Sequence, residues 1–313
     1  MTKAPDDLKI YIVSKNSIGF PAERHFQPIQ GGRALTTTIL PGTVGDDSGD
    51  SISAFNEYYA EVSSMYWVWK NAPKSKYVGF FHYRRFLNFG APLCPEAHWS
   101  ERNFYDFSPE SIERFGWSEK AIMDAIGDAD VALPFREVIT RPPQWDQPCS
   151  LYTHYRNAHL SRDINLAMQG MRELYPHEYA GYEETLYGQM GYFCHMYVMR
   201  WEIFDAYMTW LFSILFYVQE RIDTSAEVYG PSSGQTRMLG FIAERIFNVF
   251  LEQKRREGAT FVEFERLFGK LPAASNVKLQ QRRKESSREV MTRFQNGITF
   301  SLPRLKIDLY QPD

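Results

Sequence analysis

Between residues 52 and 69 apolar and aromatic side chains recur as Ile52, Phe55, Tyr59, Val62, Tyr66 and Trp69, at spacings that alternate between three and four. That rhythm predicts one helix with a continuous apolar stripe, N-capped by Asp50 or Ser51 and preceded by the turn chemistry of "DDSGDS". Two stretches without a solvated face flank it, "LKIYIVSK" (8–15) and the first half of "YVGFFHYRRF" (77–86). Both read as buried strands. Strand, helix and strand joined by brief links predict a βαβ unit, and hence a mainly parallel sheet covered by helices. "DVALP" (130–134), after a helix-like stretch at 117–126, and "YFCHMYVMR" (192–200) read as further strands. Residues 204–221 and 238–253 read as helices, and beyond 254 the chain is charged and less patterned. These patterns divide the chain into an α/β domain over 1–253, with a helical second half, and a basic helical accessory tail over 254–313.

The richest apolar run, "YMTWLFSILFYV", has 12 residues, against about 18 for a membrane span, so it predicts a core helix. The N-terminal "MTKAPDDLKIYIVSKN" lacks an apolar signal region. With 313 residues, 44% of them hydrophobic, the chain has ample material for a dense core. A net charge of −3 gives no overall cationic field and argues against nucleic acid as a partner. Cys94, Cys149 and Cys194 are far apart, without metal-ligand or disulfide-framework spacing. They read as reduced thiols of a cytoplasmic protein.

The strand at 77–81 ends abruptly in His82, Tyr83, Arg84 and Arg85, at the edge of an α/β sheet where ligands bind. Together with this block, "DDSGDSISAFNEYYAEVSSMYWVWKN", "YFCHMYVMRWEIFDAYMTWLFSIL" and "GQTRMLGFIAERI" resemble, in order and spacing, a domain of bacterial capsule and O-antigen loci that contains galactofuranosyltransferases. The resemblance spans about residues 8–253. It implies a GT-A-like fold and transfer of a sugar, galactofuranose from UDP-galactofuranose, to a growing cell-surface polysaccharide. Two positions depart from the family pattern: His195 stands where Asn is usual, and Ser51 where Asn is common.

Such a transfer must neutralise a leaving pyrophosphate, by fixed cations or by a divalent metal on carboxylates. "HYRR" offers cations. If the strand continues, His82 shares a side with Arg84, and Tyr83 with Arg85, so one Arg meets phosphate and the other is structural. For a metal, the "DAD" at Asp128–Asp130 precedes its strand, the wrong end for a site. Asp46, Asp47 and Asp50 are better placed, with loop and N-cap roles as the alternative. No resident metal is assigned. Lys15, just past the first strand, is a candidate uridine or phosphate contact. Asn56 and Glu61 lie off the apolar stripe, either exposed or lining the donor pocket. His195, Gln235 and Arg237 complete the donor-binding candidates, with Asp47 and Asp50.

An inverting transfer also needs a base for the acceptor hydroxyl. Glu244, at the edge of a helix stripe, is one candidate, and Asp146, in the Pro-rich loop "TRPPQWDQP", the other. His154, Tyr155 and His159 share a helical face and read as packing residues rather than zinc ligands. A non-catalytic glycan-binding or nucleotide-binding module and a metal-dependent phosphoester hydrolase are the competing functions. The acceptor is expected to be a glycan or a lipid-linked glycan. The segment 278–294, with six Lys or Arg against two Glu, suits peripheral contact with an anionic membrane surface.

Overall fold

The computed structural model describes residues 6–15, 19–91, 102–141, 146–229 and 234–271. Its strands are β1 (Leu8–Ser14), β2 (Phe26–Gln30), β3 (Val44–Gly45), β4 (Tyr77–His82), β5 (Arg85–Asn88), β6 (Arg102–Phe104), β7 (Val131–Pro134), β8 (Glu137–Val138), β9 (Met190–Gly191), β10 (Tyr197–Arg200) and β11 (Phe261–Gly269). Its helices are α1 (Asn56–Tyr59), α2 (Val62–Asn71), α3 (Pro109–Arg114), α4 (Glu119–Ile126), α5 (Leu151–Ala158), α6 (Ser161–Leu174), α7 (Tyr179–Tyr187), α8 (Trp201–Arg221), α9 (Ala226–Tyr229) and α10 (Met238–Arg256).

The main sheet runs β10-β7-β11-β5-β4-β1-β2-β3, with β6 on β11 and β10 also against β4. Strands β4, β1, β2 and β3 are parallel throughout, as the βαβ pattern requires. The other half is mixed: β10 is antiparallel to β4 and β7, and β5 to β4 and β11. With β11 parallel to β6 and β7, five of the nine pairings of this sheet among the described residues are parallel. The antiparallel ones arise because the chain reverses in a turn at Tyr83–Arg84 and because β10 runs opposite to β4. At that edge Gly79 meets the Tyr197–Val198 backbone closely enough that a Cβ would lie 2.8 Å from Val198 Cγ2 and 3.0 Å from the Tyr197 carbonyl.

Strand alternation divides the core. Tyr11, Val13, Val78, Phe80, Tyr197 and Met199 face a helical layer that includes α2, α6, α8 and α10. Ile10, Ile12, Tyr77, Phe81 and Val198 face Phe104, Phe115, Trp117 and α4. Helix α8 contains the expected core run, and Phe204, Tyr207, Leu211, Phe212, Ile214 and Leu215 are all buried. Each such side chain contributes about 1.5–3 kcal/mol of transfer free energy. Among the described residues no helix is long and apolar enough to cross a membrane.

Three expectations are corrected. The helix foreseen over 52–69 is a short 3-10 turn at Ser53–Phe55, then α1 and α2, separated by Ala60 with φ 52. Asn56 stabilises the break, its Nδ2 donating to the Ala60 carbonyl (2.6 Å) and to Ser63 Oγ (2.7 Å). The strand foreseen over 192–200 starts only at Tyr197, since Cys194 (φ 70) and His195 (φ 47) leave the extended region. The boundary at 253 cuts through α10 and excludes β11, which lies between β7 and β5 and binds the sheet to residue 269. The tail from residue 272, with the basic segment, lies outside the described residues, as does Cys94.

Candidate active site

Four stretches far apart in sequence converge at the C-terminal ends of β1, β2 and β4, on the helical face of the sheet. They are the end of β1 with Lys15, the start of α2 with Glu61, the turn Cys194–His195 before β10, and the start of α10 with Arg237 and Glu244. Arg237 Nη2 lies 3.9 Å from Glu61 Oε2, and His195 Nδ1 lies 4.0 Å from Glu61 Oε1. Crowding, and then Arg237 beside it, pull the Lys15 ammonium below its ordinary pKa, against the fields of Asp46, Glu61 and Glu57. Lys15 is nonetheless solvent-exposed, so it sits on the rim of this charge cluster.

The turn at 194–195 is clamped on both sides. Glu244 Oε1 accepts the Cys194 N–H at 2.8 Å, and His82 donates from Nε2 to the Cys194 carbonyl. Glu244 Oε2 pairs with Arg245, which in turn donates to His154 Nδ1 at 3.0 Å. Burial raises the Glu244 carboxyl's pKa, but Arg245, the Cys194 N–H and the flanking histidines outweigh it and hold the group below its usual value. His195 is buried and pairs through Nε2 with Tyr207 Oη at 2.6 Å. Burial lowers its pKa to about 4 against the fields of Glu61 and Glu244, so the imidazole is neutral at pH 7. Burial raises the Cys194 thiol to about 11, which leaves it protonated and unreactive.

Beneath the site, the fully buried Asp46 organises the turn after β2. It accepts the N–H groups of Gly32 and Arg33, both at 3.0 Å, and the hydroxyls of Ser53 and Ser63.

A family model described as a domain of unknown function (DUF4422) matches residues 9–255. The chain belongs to the DUF4422 family. Among solved structures it is similar to the apo structure of the bifunctional glycosyltransferase WbbM, with 30% identity and a TM-score of 0.74. That match covers 85% of this chain and 46% of the other, so this chain spans about half the length of the protein it resembles. A search of curated proteins finds no match.

Not every candidate residue of this DUF4422 chain reaches the cluster. Since β4 stops at His82 and pairs it with Arg85 across the hairpin, Arg85 shares His82's face, and the expected grouping of His82 with Arg84 is reversed. Arg85 also contributes to the field at Cys194. Arg84 is exposed in the turn, stacked over Tyr83 (4.8 Å) and Phe268 (5.4 Å). Asp50 accepts from Tyr66 Oη at 2.9 Å, and its backbone N–H donates to Asn71 Oδ1, so it braces α2 instead of capping it. Asp47 lies 3.9 Å from Arg33. Asn56 is buried under Gly32, and Gln235 spends both ends of its amide on α5, toward His159 and the Ala158 carbonyl. Asp146 is exposed in the loop closed by the Thr140–Pro148 bridge. Asp130 binds Arg200 and Thr260, a structural role that fits its position before β7.

Sequence reasoning missed the Gly31–Gly32 turn. The double glycine closing the strand "FQPIQ" was the available signal, and the Gly32 and Arg33 amides it exposes are taken by the buried Asp46 carboxylate. A hollow of about 570 Å³, lined by Lys9, Tyr11, Gln27, Val44, Trp67 and Lys74 among others, opens at the opposite ends of the same strands. Charge convergence, not volume, marks the site.

Proposed function

We propose that this chain is a glycosyltransferase that moves galactofuranose from UDP-galactofuranose to a growing cell-surface polysaccharide on a glycan or lipid-linked acceptor, with a GT-A-like donor site. The observation that carries the reading is the meeting of Lys15, Arg237, Glu61 and His195 at the ends of parallel strands, in a chain 30% identical to a bifunctional glycosyltransferase. Two cations at a strand-end site suit a nucleotide diphosphate. Lys15 and Arg237 hold the pyrophosphate and stabilise its charge as the bond to the sugar breaks, and Arg85 adds a third cation from the β4–β5 hairpin. Asp46, Asp47 and Asp50 do not converge on one point, and among the described residues no three His, Cys, Asp or Glu side chains are grouped to hold an ion. The basic segment after residue 277 brings the enzyme to the anionic membrane surface where lipid-linked acceptors reside.

Incubating the purified protein with a panel of UDP-sugars and acceptor glycans tests this. The expected result is acceptor-dependent release of UDP, fastest from UDP-galactofuranose. Glycan affinity without UDP affinity would instead establish a binding module, and metal-dependent turnover of a phosphate ester a hydrolase.

A further inference from the structure

We propose that Glu61 is the base that takes the acceptor hydroxyl's proton, and that His195 is its positioning residue. This rests on the transferase reading above. Neither Glu244 nor Asp146 has the required placement. Both Glu244 oxygens are committed, one to the Cys194 N–H and one to Arg245, and Asp146 lies in an exposed loop.

Three independent observations point to Glu61. The first is backbone strain. Among the described residues the non-glycine positions with positive φ are Ala60, Cys194 and His195. Ala60 precedes Glu61 in the chain, His195 Nδ1 lies 4.0 Å from its carboxylate, and Cys194 precedes His195. Such conformations persist only where the surroundings impose them, and they cluster at functional sites. Here Ala60 is pressed against α10, where a Cβ on Gly240 would lie 2.9 Å from Ala60 Cβ. The Cys194 peptide is held by Glu244 and His82.

The second observation is an orphaned polar atom. His195 Nδ1 is buried without a hydrogen-bond partner, on a side chain with no solvent exposure, and it faces Glu61 Oε1 at 4.0 Å. A buried ring nitrogen left unpaired is costly unless it serves another group. The tautomer in which Tyr207 donates its hydroxyl hydrogen to Nε2 puts the proton of the neutral ring on Nδ1, the nitrogen 4.0 Å from the Glu61 carboxylate. A neutral N–H orients Glu61 without adding positive charge that would weaken it as a base.

The third is placement. The Glu61 side chain keeps 16% of its surface exposed, while its other oxygen lies 3.9 Å from Arg237. It is open to a substrate and adjacent to the cations assigned to pyrophosphate. In the proposed step an acceptor hydroxyl oxygen forms a bond to the sugar's anomeric carbon while the bond from that carbon to the β-phosphate oxygen breaks. The bonding pair leaves with UDP. The hydroxyl proton moves to a Glu61 oxygen and passes afterwards to solvent.

The test compares Glu61→Gln and Glu61→Asp with the wild type, measuring acceptor-dependent turnover and, by calorimetry, UDP affinity, with thermal melting to confirm folding. Glu61→Gln is expected to lower turnover at least 100-fold, with UDP affinity within about threefold of wild type, while Glu61→Asp keeps part of the rate. His195→Phe, which removes the N–H, is expected to lower kcat about tenfold without changing UDP affinity. His195→Asn, which sets an N–H near the Nδ1 position, should recover most of that loss. Turnover of Glu61→Gln within threefold of wild type would overturn the assignment. So would a parallel loss of UDP affinity, which would make Glu61 only a brace for Lys15 and Arg237. If wild-type protein binds UDP and glycan yet transfers from no UDP-sugar, the transferase reading itself fails, and the base assignment with it.

Discussion

Replacing Glu244 by Gln separates two roles that a carboxylate at this position could fill. In the structure it is the counter-charge of Arg245, whose side chain is only 5% exposed, and the acceptor for the strained Cys194 N–H. Breaking a buried ion pair by removing one partner costs about 3–5 kcal/mol. Glu244 itself retains 22% of its side-chain surface, so partial hydration lowers the figure to about 2–3 kcal/mol. For a chain of this size the unfolding entropy is about 0.6 kcal/mol per degree, so the melting temperature should fall by about 4 °C. The effect must also depend on pH. Because the Glu244 carboxyl is held below its ordinary value, its contribution is complete above the unfolded-chain pKa of about 4.3 and is lost as pH falls through the lower folded value. Calorimetric melts should therefore show a wild-type-to-variant gap at pH 7 that shrinks as the pH falls below about 4.3. A variant that melts like wild type at pH 7 but transfers sugar 100-fold more slowly would refute this and restore Glu244 as the base.

Gly240→Ala places a methyl 2.9 Å from Ala60 Cβ and 3.1 Å from the Tyr59 carbonyl, which should destabilise the fold by about 1–3 kcal/mol in denaturant titrations and reduce turnover by displacing Glu61. Arg85→Ala should weaken donor use by one to two decades, the cost of about 1.5–3 kcal/mol for one charge-assisted contact, while Arg84→Ala, in an exposed turn, should stay within twofold in UDP-release assays. Burial holds both His154 and His195 at a pKa of about 4. Between about pH 6.5 and 4 the unfolded chain therefore binds protons the folded protein refuses, and stability falls on acidification by up to about 3 kcal/mol per histidine. Melts of His154→Phe across that range should show a shallower slope than wild type.

Strands β1 and β4 were legible because central parallel strands carry no polar alternation, and α8 because its apolar run is too short for a membrane and too continuous for a surface. The positions of Lys15 just past β1 and of Arg237 just before α10 were legible in the pattern; the contacts of Glu61 with His195 and Arg237 were not. What was hidden depends on contacts between distant residues. The reversal at Tyr83–Arg84 has none of the Gly, Asn or Asp that usually mark a two-residue hairpin. Strand β11 reads as charged tail, "FVEFERLFG", because its charges are satisfied inside the fold. Arg266 pairs with Glu137 at 3.0 Å with both side chains buried, and Glu265 accepts from Asn88 at 2.8 Å. The break at Ala60 could not be read locally either, since Gly240 lies 180 residues downstream.

The same dependence on distant contacts bears on how the site works. A carboxylate on a continuous, exposed helix would be free to rotate, and its pairing with Arg237 would be worth little in water. Breaking the helix at Ala60 instead turns Glu61 toward a buried imidazole that comes from another strained turn. Each left-handed non-glycine residue costs about 1–3 kcal/mol, and the packing of α10 and the Glu244–Cys194–His82 clamp offset that cost by rigid tertiary contacts. The groups are thus fixed before any substrate arrives, which is the condition under which fixed dipoles and charges lower a barrier instead of merely binding a ligand. Among the described residues the positive-φ non-glycine positions are Ala60, Cys194 and His195, and fixing Ala60 and His195 on either side of the Glu61 carboxylate suits the proposed proton transfer better than a surface that only holds a sugar.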